Sequence, residues 1–362
     1  MHHIHGEASH HLSTAELDLY VTARAGHMGP VIFHLDGRDV SPYSVSPWQP
    51  AEFPTQPDLL SVLRGDFFCL PFGGQLHGPP HGDPANAEWL LMSMGDRSIR
   101  MRQKAGDTGA VVEKILGTRP QHHAVYIEHR ISELEGEFNY GTHPILDLSA
   151  MPEGAARISV SPFRWASVFP GCFSDPANGE QQALKPGVEF TDLQAVPTMS
   201  GGITDLTHYP ARPGNDDLVM MVNEAPHAGQ PFAWSAAVMD GWMWFSLKNP
   251  VDFPATLFWM SNGGRSGPPW NGRHTGRIGI EEVCSYFSNG VDESRNASPG
   301  FPTTRRFNAH ETVSLKVVQG VAAVPDDFGM IVRIHPVGEN TVAIADESGK
   351  EVITPLEWEF VL

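Results

Sequence analysis

The sequence predicts an all-β protein, a large antiparallel two-sheet sandwich with few helices. Short runs of β-forming residues recur along the whole chain and are bounded by Gly, Pro, Asn or Asp, which is typical of strands joined by turns. The 36 glycines and 31 prolines make 67 of 362 residues, about 19%, against about 12% in average proteins. No alternating strand–helix pattern, GxGxxG or P-loop motif occurs, so a doubly wound nucleotide-binding fold is disfavoured.

Fourteen runs, each about four to nine residues long, have this strand character. They span residues 16–24, 31–35, 89–94, 98–103, 124–131, 157–160, 218–222, 232–238, 242–247, 255–260, 311–318, 330–334, 342–346 and 356–361. Two further segments differ from this pattern. Apolar residues at three- and four-residue steps predict a helix over residues 280–296, and residues 58–63 fit either one helical turn or a strand.

The domain organisation follows from the even spread of these runs. No low-complexity linker divides them, so we expect one sandwich domain over residues 15–362. Residues 1–14 form a His-rich N-terminal extension, with five histidines in the first eleven residues. A loose, solvated tail is the favoured interpretation of this extension, and metal chelation is the alternative.

The charge balance limits the possible partners. The chain has 42 acidic and 24 basic residues, a net charge of −18, which repels phosphate backbones, so we expect no nucleic-acid partner. No apolar run approaches the roughly 18 residues that span a bilayer, so we expect no membrane partner. Three widely spaced cysteines without a CxxC motif argue against a disulfide framework and favour a reducing, cytoplasmic location.

The first group of candidate functional residues lies between positions 64 and 89. It includes Arg64, His81 and Asn86 among several glycines, which allow a ligand to approach the backbone closely. A metal site would need His77, His81 and Asp83 to converge, but no regular strand or helix spacing fixes them relative to one another. A polar surface loop is also consistent with the pattern. We expect no bound metal and no other cofactor.

Two later segments and a set of tryptophans complete the candidates. His143 interrupts an apolar, strand-like run, where it is either a structural histidine or a functional one. Glu281 and Glu282 follow an Ile-Gly-Ile run at the expected start of the 280–296 helix, where the helix dipole stabilises acids. Trp242 and Trp244 share one face of a predicted strand, and aromatic faces stack well on sugar rings.

The order of these motifs resembles the aldose 1-epimerase and glucose-6-phosphate 1-epimerase superfamily, the galactose-mutarotase-like proteins. Residues 64–74 match the Arg-Gly segment that leads to a Pro-X-Phe-Gly turn, and residues 81–89 match a His-Gly…Asn…Trp motif that lacks the family's internal arginine. Residues 142–146 are similar to the family's central histidine strand, and residues 279–281 are similar to its late glutamate strand. The family fold is a large antiparallel β-supersandwich, in agreement with the strand pattern.

The resemblance implies an enzyme that interconverts sugar anomers by acid–base ring opening. His143 would be the general acid and Glu281 the general base, with Glu282 an alternative base. Because the ordinary pKa of histidine is about 6.5, modest tuning in an acid-rich site would keep His143 protonated. The implied partner is a small-molecule carbohydrate, and the chemistry needs no cofactor.

The residues that would bind the sugar are polar or aromatic, and they are Arg64, His81, Asn86, Asp205 and Trp244. Asp240 remains an alternative to Asp205, and Trp242 an alternative to Trp244. Two other functions stay open at this point. One is a carbohydrate-binding protein without turnover. The other is a different carbohydrate lyase or isomerase on the same sandwich, with a bound metal.

Overall fold

The structure, a computed structural model, describes residues 1–52 and 58–362 and confirms the all-β prediction. Strands follow one another along the described chain. The first half contains β1 (His2–Ile4), β2 (Glu7–Ser13), β3 (Leu17–Thr22), β4 (Met28–Leu35), β5 (Arg38–Val40), β6 (Phe68–Cys69), β7 (Leu90–Gly95), β8 (Ser98–Lys104), β9 (Val111–Gly117), β10 (Ala124–Ser132), β11 (Gly136–Phe138), β12 (Tyr140–Thr142), β13 (Ile145–Asp147) and β14 (Ala156–Val160).

The second half continues in the same way. It contains β15 (Phe163–Val168), β16 (Val196–Pro197), β17 (Ile203–Thr204), β18 (His208–Tyr209), β19 (Asn215–Asn223), β20 (Ala233–Val238), β21 (Trp242–Lys248), β22 (Ala255–Asn262), β23 (Arg277–Cys284), β24 (Arg305–Phe307), β25 (Val313–Ala323), β26 (Ile331–Gly338), β27 (Thr341–Asp346) and β28 (Glu351–Pro355). The helices are short: α1 (Asp58–Ser61), α2 (Gly290–Asn296) and the 3₁₀ turns Pro50–Glu52, Asp83–Ala85, Pro176–Asn178 and Trp358–Val361.

Two large antiparallel sheets form the body of the molecule. The nine-stranded sheet has the order β18-β14-β20-β21-β25-β10-β9-β8-β7, and the seven-stranded sheet contains β15-β19-β22-β23-β12-β6, with β13 also pairing with β23. Side chains of both sheets meet in one apolar core, for example Ile127 and Phe258. Smaller sheets flank this sandwich: β1–β5 at the N-terminus and β26–β28 near the C-terminus.

The seven-stranded sheet is buried on both faces. Its inner face packs on the nine-stranded sheet, and its outer face carries a second apolar cluster that includes Leu218, Leu257 and Trp259. Because successive side chains of a strand point to opposite faces, neighbouring residues of β23 enter different environments. This alternation decides which residues reach the outer face.

The helix predicted over residues 280–296 is wrong in its first half. Residues 277–284 form β23, and only Gly290–Asn296 is helical. Ile280 and Cys284 face the core between the large sheets, while Val283 faces the outer cluster. A strand that is buried on both faces has a nearly continuous apolar sequence, and its spacing imitates that of a helix.

Three other expectations are settled by the local structure. Residues 58–63 begin with a single helical turn, α1. The strand predicted over residues 356–361 is wrong, because β28 ends at Pro355 and Trp358–Val361 forms a 3₁₀ turn. The expectation of a loose tail over residues 1–14 is also wrong: β1 and β2 pair in register with each other, and β2 pairs with β3. No helix in the described ranges is long and apolar enough to cross a membrane.

Candidate active site

His143 and Glu281 lie opposite each other on the outer face of the seven-stranded sheet. β12 and β13 both pair with β23, and His143 lies in the short gap between them. Because Ile145 pairs with Gly279, the same antiparallel register places His143 opposite Glu281. The His143 Nε2 and Glu281 Oε1 atoms are 3.2 Å apart, and both side chains are buried. The structure therefore brings together the two residues predicted as acid and base.

The backbone of His143 is held by a carboxylate that the sequence analysis did not single out. The His143 backbone N–H donates to Asp66 Oδ1 (2.9 Å) and to the Phe67 carbonyl (3.0 Å). Asp66 Oδ2 accepts a hydrogen bond from Gln319 Nε2 (2.8 Å), and burial raises the pKa of Asp66 to about 6. The His143 ring stacks on Phe67, with a centroid distance of 4.5 Å. These contacts fix the ring against the sheet.

Glu281 fits on this face because residue 279 has no side chain. A Cβ atom at Gly279 would lie 2.6 Å from Glu281 Oε1 and 3.3 Å from Trp259 Cβ. Gly279 lies two residues before Glu281 on the same face of β23. Its missing side chain thus leaves room for the Glu281 carboxylate beside the Trp259 ring. The site therefore requires a residue without a side chain at position 279.

The G279A variant tests this requirement. Because the new methyl group must displace the Glu281 carboxylate, we expect any catalytic activity that depends on this carboxylate to fall by about 10- to 100-fold. We expect the free energy of unfolding to fall by about 1–3 kcal/mol. Kinetics and denaturant unfolding measure the two effects. The control is G95A at the end of β7, where the nearest atom to an added Cβ is the Ser98 hydroxyl at 3.8 Å. Equal activity of the two variants would contradict the requirement.

A cavity opens above the His143–Glu281 pair. Its polar and aromatic lining includes His81, His143, Trp259, Arg265, Trp270 and Glu281, and Ser288, leucines and phenylalanines complete it. Its volume is about 120 Å³, below the roughly 300–1,000 Å³ of pockets that hold drug-sized ligands. The cavity therefore suits a small ligand.

Of the five residues predicted to bind the sugar, His81 is the one that lines the cavity. Its ring meets the His143 ring edge to face, with centroids 5.2 Å apart. The Gly73 backbone N–H donates to His81 Nδ1 (3.3 Å), so the neutral ring carries its proton on Nε2. Burial lowers the pKa of His81 to about 4, which keeps the ring neutral at pH 7. His81 can therefore donate one hydrogen bond from Nε2.

Burial acts on the His143–Glu281 pair in opposite directions. It lowers the pKa of His143 well below its ordinary value and raises the pKa of Glu281 well above its ordinary value. The expectation that His143 stays protonated in an acid-rich site is thus corrected: Glu281 is the only acid lining the cavity among the described residues. The uncharged pair, with one proton on the carboxyl group, is favoured.

The neighbouring Glu282 has a different environment. It points between the two large sheets, where its carboxylate lies 2.5 Å from Lys248 Nζ and accepts hydrogen bonds from the Ser235 and Thr256 hydroxyls (both 2.8 Å). All of its polar neighbours are buried side chains of the sandwich. Of these two adjacent glutamates, only Glu281 lines the cavity.

Arg64 does not line the cavity, which corrects the expectation that it binds sugar. Its buried guanidinium donates from Nη1 to the Ile4 carbonyl (2.8 Å), from Nη2 to the His5 carbonyl (3.3 Å) and from Nε to the Val62 carbonyl (2.9 Å). Burial lowers the pKa of Arg64 to about 10, so the group stays charged at pH 7. Arg64 anchors the N-terminal strands.

Asn86 also has a supporting position. Its side-chain carbonyl accepts from the Leu59 backbone N–H (3.0 Å), and its amide group donates to the carbonyls of Pro80 and Gly82 (both 2.8 Å). These bonds hold the residues on both sides of His81 and the turn that brings Leu59 to the cavity wall. Asn86 thus shapes the cavity without lining it, contrary to the expectation of a direct sugar contact.

The remaining two predicted binding residues lie elsewhere. Asp205 accepts hydrogen bonds from Thr207 and contacts His208 Nδ1 at 2.9 Å, beside a different cavity. Trp244 is fully buried between the sheets, where its indole N–H donates to the Tyr43 hydroxyl (3.3 Å). Neither Asp205 nor Trp244 lines the cavity at His143, which corrects both expectations. The alternatives Asp240 and Trp242 do not line it either.

The aromatic lining comes from Trp259 and Trp270. Trp259 pairs with Gly279 across β22 and β23, so it shares the strand face of Glu281. Its ring contacts the rings of Trp270 and His143 edge to face, at centroid distances of 5.8 and 5.6 Å. An antiparallel alignment of the predicted strand 255–260 with residues 277–284 would have found Trp259, but the helix predicted over residues 280–296 hid this pairing. Trp270 lies in a loop and gave no comparable signal.

Metal ligation is a separate question at this site. In residues 1–52 and 58–362, no three His, Cys, Asp or Glu side chains are arranged to hold a metal ion. His77 and Asp83 do not line the cavity, although His81 does. The lining residues themselves offer two histidines and one carboxylate, an acid–base set.

Comparisons with known proteins define the fold class. No family model matches the sequence, and no curated protein is detectably similar to it in sequence. Many solved structures, however, share the fold. A galactose mutarotase related enzyme from Lactobacillus acidophilus has a TM-score of 0.57 at 11% identity, with 88% of this chain and 99% of that chain covered.

Two further solved structures give the same result. An aldose epimerase homologue from C. elegans has a TM-score of 0.56 at 13% identity and covers 88% of this chain and 100% of its own. A galactose mutarotase-like protein from Clostridium acetobutylicum has a TM-score of 0.58 at 10% identity, with 88% of this chain and 96% of that chain covered. The chain therefore has the galactose mutarotase-like fold, and the resemblance seen in the sequence is confirmed at that level.

Proposed function

We propose that the chain is an aldose 1-epimerase-like enzyme that interconverts sugar anomers by acid–base ring opening. One observation carries the proposal: His143 and Glu281 meet at 3.2 Å in a small cavity of a galactose mutarotase-like fold. The similar structures include a galactose mutarotase related enzyme, which supports a small carbohydrate as the partner. The cavity volume of about 120 Å³ favours a single sugar over an oligosaccharide.

The short distance within the pair determines how a sugar would bind. The ring oxygen O5 and the hydroxyl oxygen O1 of an aldose are bonded to the same carbon, C1. An acid and a base that act on these two atoms must therefore lie close together. Since His143 and Glu281 touch, no sugar ring lies between them; the C1 edge of the sugar would approach both from the cavity side.

The reaction needs one proton within the pair. One member takes the proton from O1–H while the other donates a proton to O5; the C1–O5 bond then breaks, and the C1–C2 bond rotates before closure on the other face. In the forward direction with a protonated His143, Glu281 is the base. When the proton starts on Glu281, the roles are exchanged. Closure returns both protons, so the enzyme is restored in either case.

The other lining groups would orient the sugar. His81 has one donor, Nε2–H, available for a sugar oxygen. The rings of Trp259 and Trp270 offer apolar faces and edges against which a sugar ring can pack. Trp259 Nε1 is a buried donor without a hydrogen-bond partner in the described structure, so a sugar hydroxyl there would satisfy it.

Saturation-transfer NMR on equilibrated anomers of hexoses and hexose derivatives tests the proposal directly. The purified chain should increase the exchange rate between the α and β anomers of at least one sugar above the buffer rate. Calorimetric binding of a sugar without faster exchange would replace the proposal with a carbohydrate-binding protein. Neither binding nor exchange for any aldose would contradict both.

The pH profile of the reaction follows from the shared proton. Below the lower apparent pKa both groups are protonated and the base is lost; above the upper apparent pKa both are deprotonated and the acid is lost. Burial disfavours both charged extremes, because it lowers the pKa of His143 and raises the pKa of Glu281. We therefore expect kcat/KM to be bell-shaped with a broad plateau around neutral pH. A profile that loses activity as the pH rises through the ordinary histidine pKa of about 6.5 would contradict the shared-proton mechanism.

A further inference from the structure

Arg265 is a cation at the cavity that takes no part in the proposed proton transfers, although its charge opposes the rise in the pKa of Glu281. It lies in the loop between β22 and β23, and its guanidinium carbon is 5.0–5.5 Å from the ring centroids of Phe173, Trp259 and Trp270. About 21% of its side chain is exposed. Aromatic faces thus hold the guanidinium in place at the cavity without occupying its N–H groups.

The hydrogen-bonding capacity of Arg265 is largely unused within the described chain. Its nearest charged partner is Asp216, with 3.6 Å between Arg265 Nε and Asp216 Oδ2, which is longer than a hydrogen bond. The Asp216 carboxylate already accepts hydrogen bonds from the backbone N–H groups of Asn262 and Gly264 (both 2.9 Å) and from the Ser261 hydroxyl (3.0 Å). A guanidinium has five N–H donors, so most of those of Arg265 remain available to a ligand.

The charge of the lining indicates the kind of ligand group. Among the described lining residues Arg265 is the only lysine or arginine, and the net charge of the chain is −18. A single guanidinium can neutralise a monoanion, whereas a phosphate dianion would keep excess negative charge in this field. A carboxylate is planar, and its two oxygens match two parallel N–H donors of arginine.

We propose that the sugar is an aldose bearing a carboxylate, a uronic acid, and that Arg265 binds this carboxylate in a bidentate manner while C1 faces the His143–Glu281 pair. This inference rests on the proposed function, because it names the substrate of the same site. Arg265 would then select the substrate and place its reacting end, while proton transfer stays with the pair.

The experiment compares three substrate classes in the saturation-transfer assay: glucuronate and galacturonate, glucose and galactose, and glucose 6-phosphate. We expect the wild-type kcat/KM for a hexuronate to exceed that for the neutral hexose of the same configuration by about 10- to 100-fold. In R265Q this preference should fall to within a few-fold. The matched control is R306Q, since Arg306 is exposed and remote from the cavity lining, and it should keep the wild-type preference.

A second variant, R265K, and a binding measurement keep the proposal testable if R265Q fails to fold. R265K keeps the positive charge but loses the two-pronged donor geometry, so its preference for the hexuronate should fall by at least several-fold. Calorimetry should show weaker binding of the hexuronate to R265K than to the wild type. Unchanged preference and affinity in a folded Arg265 variant would overturn the assignment.

The outcomes separate this inference from the proposed function. Exchange of neutral hexoses with no preference for hexuronates would overturn the uronic acid and leave the anomerisation proposal standing. A preference for glucose 6-phosphate over the hexuronates would overturn the carboxylate assignment in favour of a phosphate. Exchange of none of these sugars, together with no binding, would contradict the proposed function itself.

Discussion

E281Q is expected to fold and to lose anomerisation activity by about 100- to 10,000-fold, the range that general acid–base catalysis supplies. Glutamine has nearly the shape of glutamate, but its amide cannot accept or release the proton of O1. The geometry predicts this loss because Glu281 Oε1 is 3.2 Å from His143 Nε2 and is the only carboxylate at the cavity among the described residues. The saturation-transfer rate measures the effect.

The same variant should gain stability at alkaline pH. Burial raises the pKa of Glu281 above its value in the unfolded chain, so the folded state binds more protons between these two values. Stability from this group is therefore present below the unfolded pKa and is lost as the pH rises through the folded pKa. E281Q removes this loss, and its unfolding midpoint should exceed that of the wild type above the folded pKa.

The control for both measurements is E339Q, which removes a carboxylate from an exposed turn. It should retain the wild-type rate and the wild-type dependence of stability on pH. An E281Q protein that exchanges anomers at the wild-type rate would remove Glu281 from the mechanism, even if its stability behaved as expected.

E282A is expected to have its largest effect on folding, although it changes the adjacent residue. It removes the charged partner of Lys248 Nζ, 2.5 Å away, and both side chains are fully buried. A buried ammonium without its carboxylate costs about 3–5 kcal/mol of the free energy of unfolding. Burial already lowers the pKa of Lys248, and Glu282 opposes this shift. Denaturant unfolding at pH 7 measures the loss.

The double variant K248M/E282M provides the matched control. It removes both charges and fills the space with apolar side chains, so it should recover much of the stability that E282A loses. A loss below about 1 kcal/mol in E282A would mean that the remaining acceptors of Lys248, the Ala255 carbonyl and the Thr256 hydroxyl, are sufficient, or that Lys248 loses its proton at little cost. We thus expect substitution of Glu281 to affect mainly activity and substitution of the adjacent Glu282 to affect mainly the free energy of unfolding.

The sequence predicted the fold because strand signals are local. Alternating runs such as 98–103 and 124–131 need only their own residues and the flanking turns to be recognised, and they correspond to β8 and β10. The order of motifs also predicted the His143–Glu281 pair. The register that places them 3.2 Å apart depends on how β12, β13 and β23 pair, which residues far apart in the sequence determine.

The wrong assignments of sugar-binding residues have a common physical reason: the type of a polar or aromatic residue does not determine whether it contacts a ligand or another part of the protein. Arg64, Asn86 and Trp244 have the chemistry of sugar-binding residues, but each finds its partners within the protein. The errors over Arg64 and the N-terminal tail are linked. A loose tail would have left the Arg64 guanidinium free for a ligand, whereas the ordered tail supplies the carbonyls that satisfy it.

The contact of Arg64 with the carbonyls of Ile4 and His5 has a practical consequence for handling the protein. Removal of the histidine-rich N-terminal residues, a common step in preparing crystals, would remove two hydrogen-bond acceptors from the buried Arg64 guanidinium. That cation lies two positions before Asp66, whose carboxylate secures the backbone of His143. We therefore expect measurements on shortened protein to report on a disturbed candidate active site, and a purification tag is better placed at the other terminus.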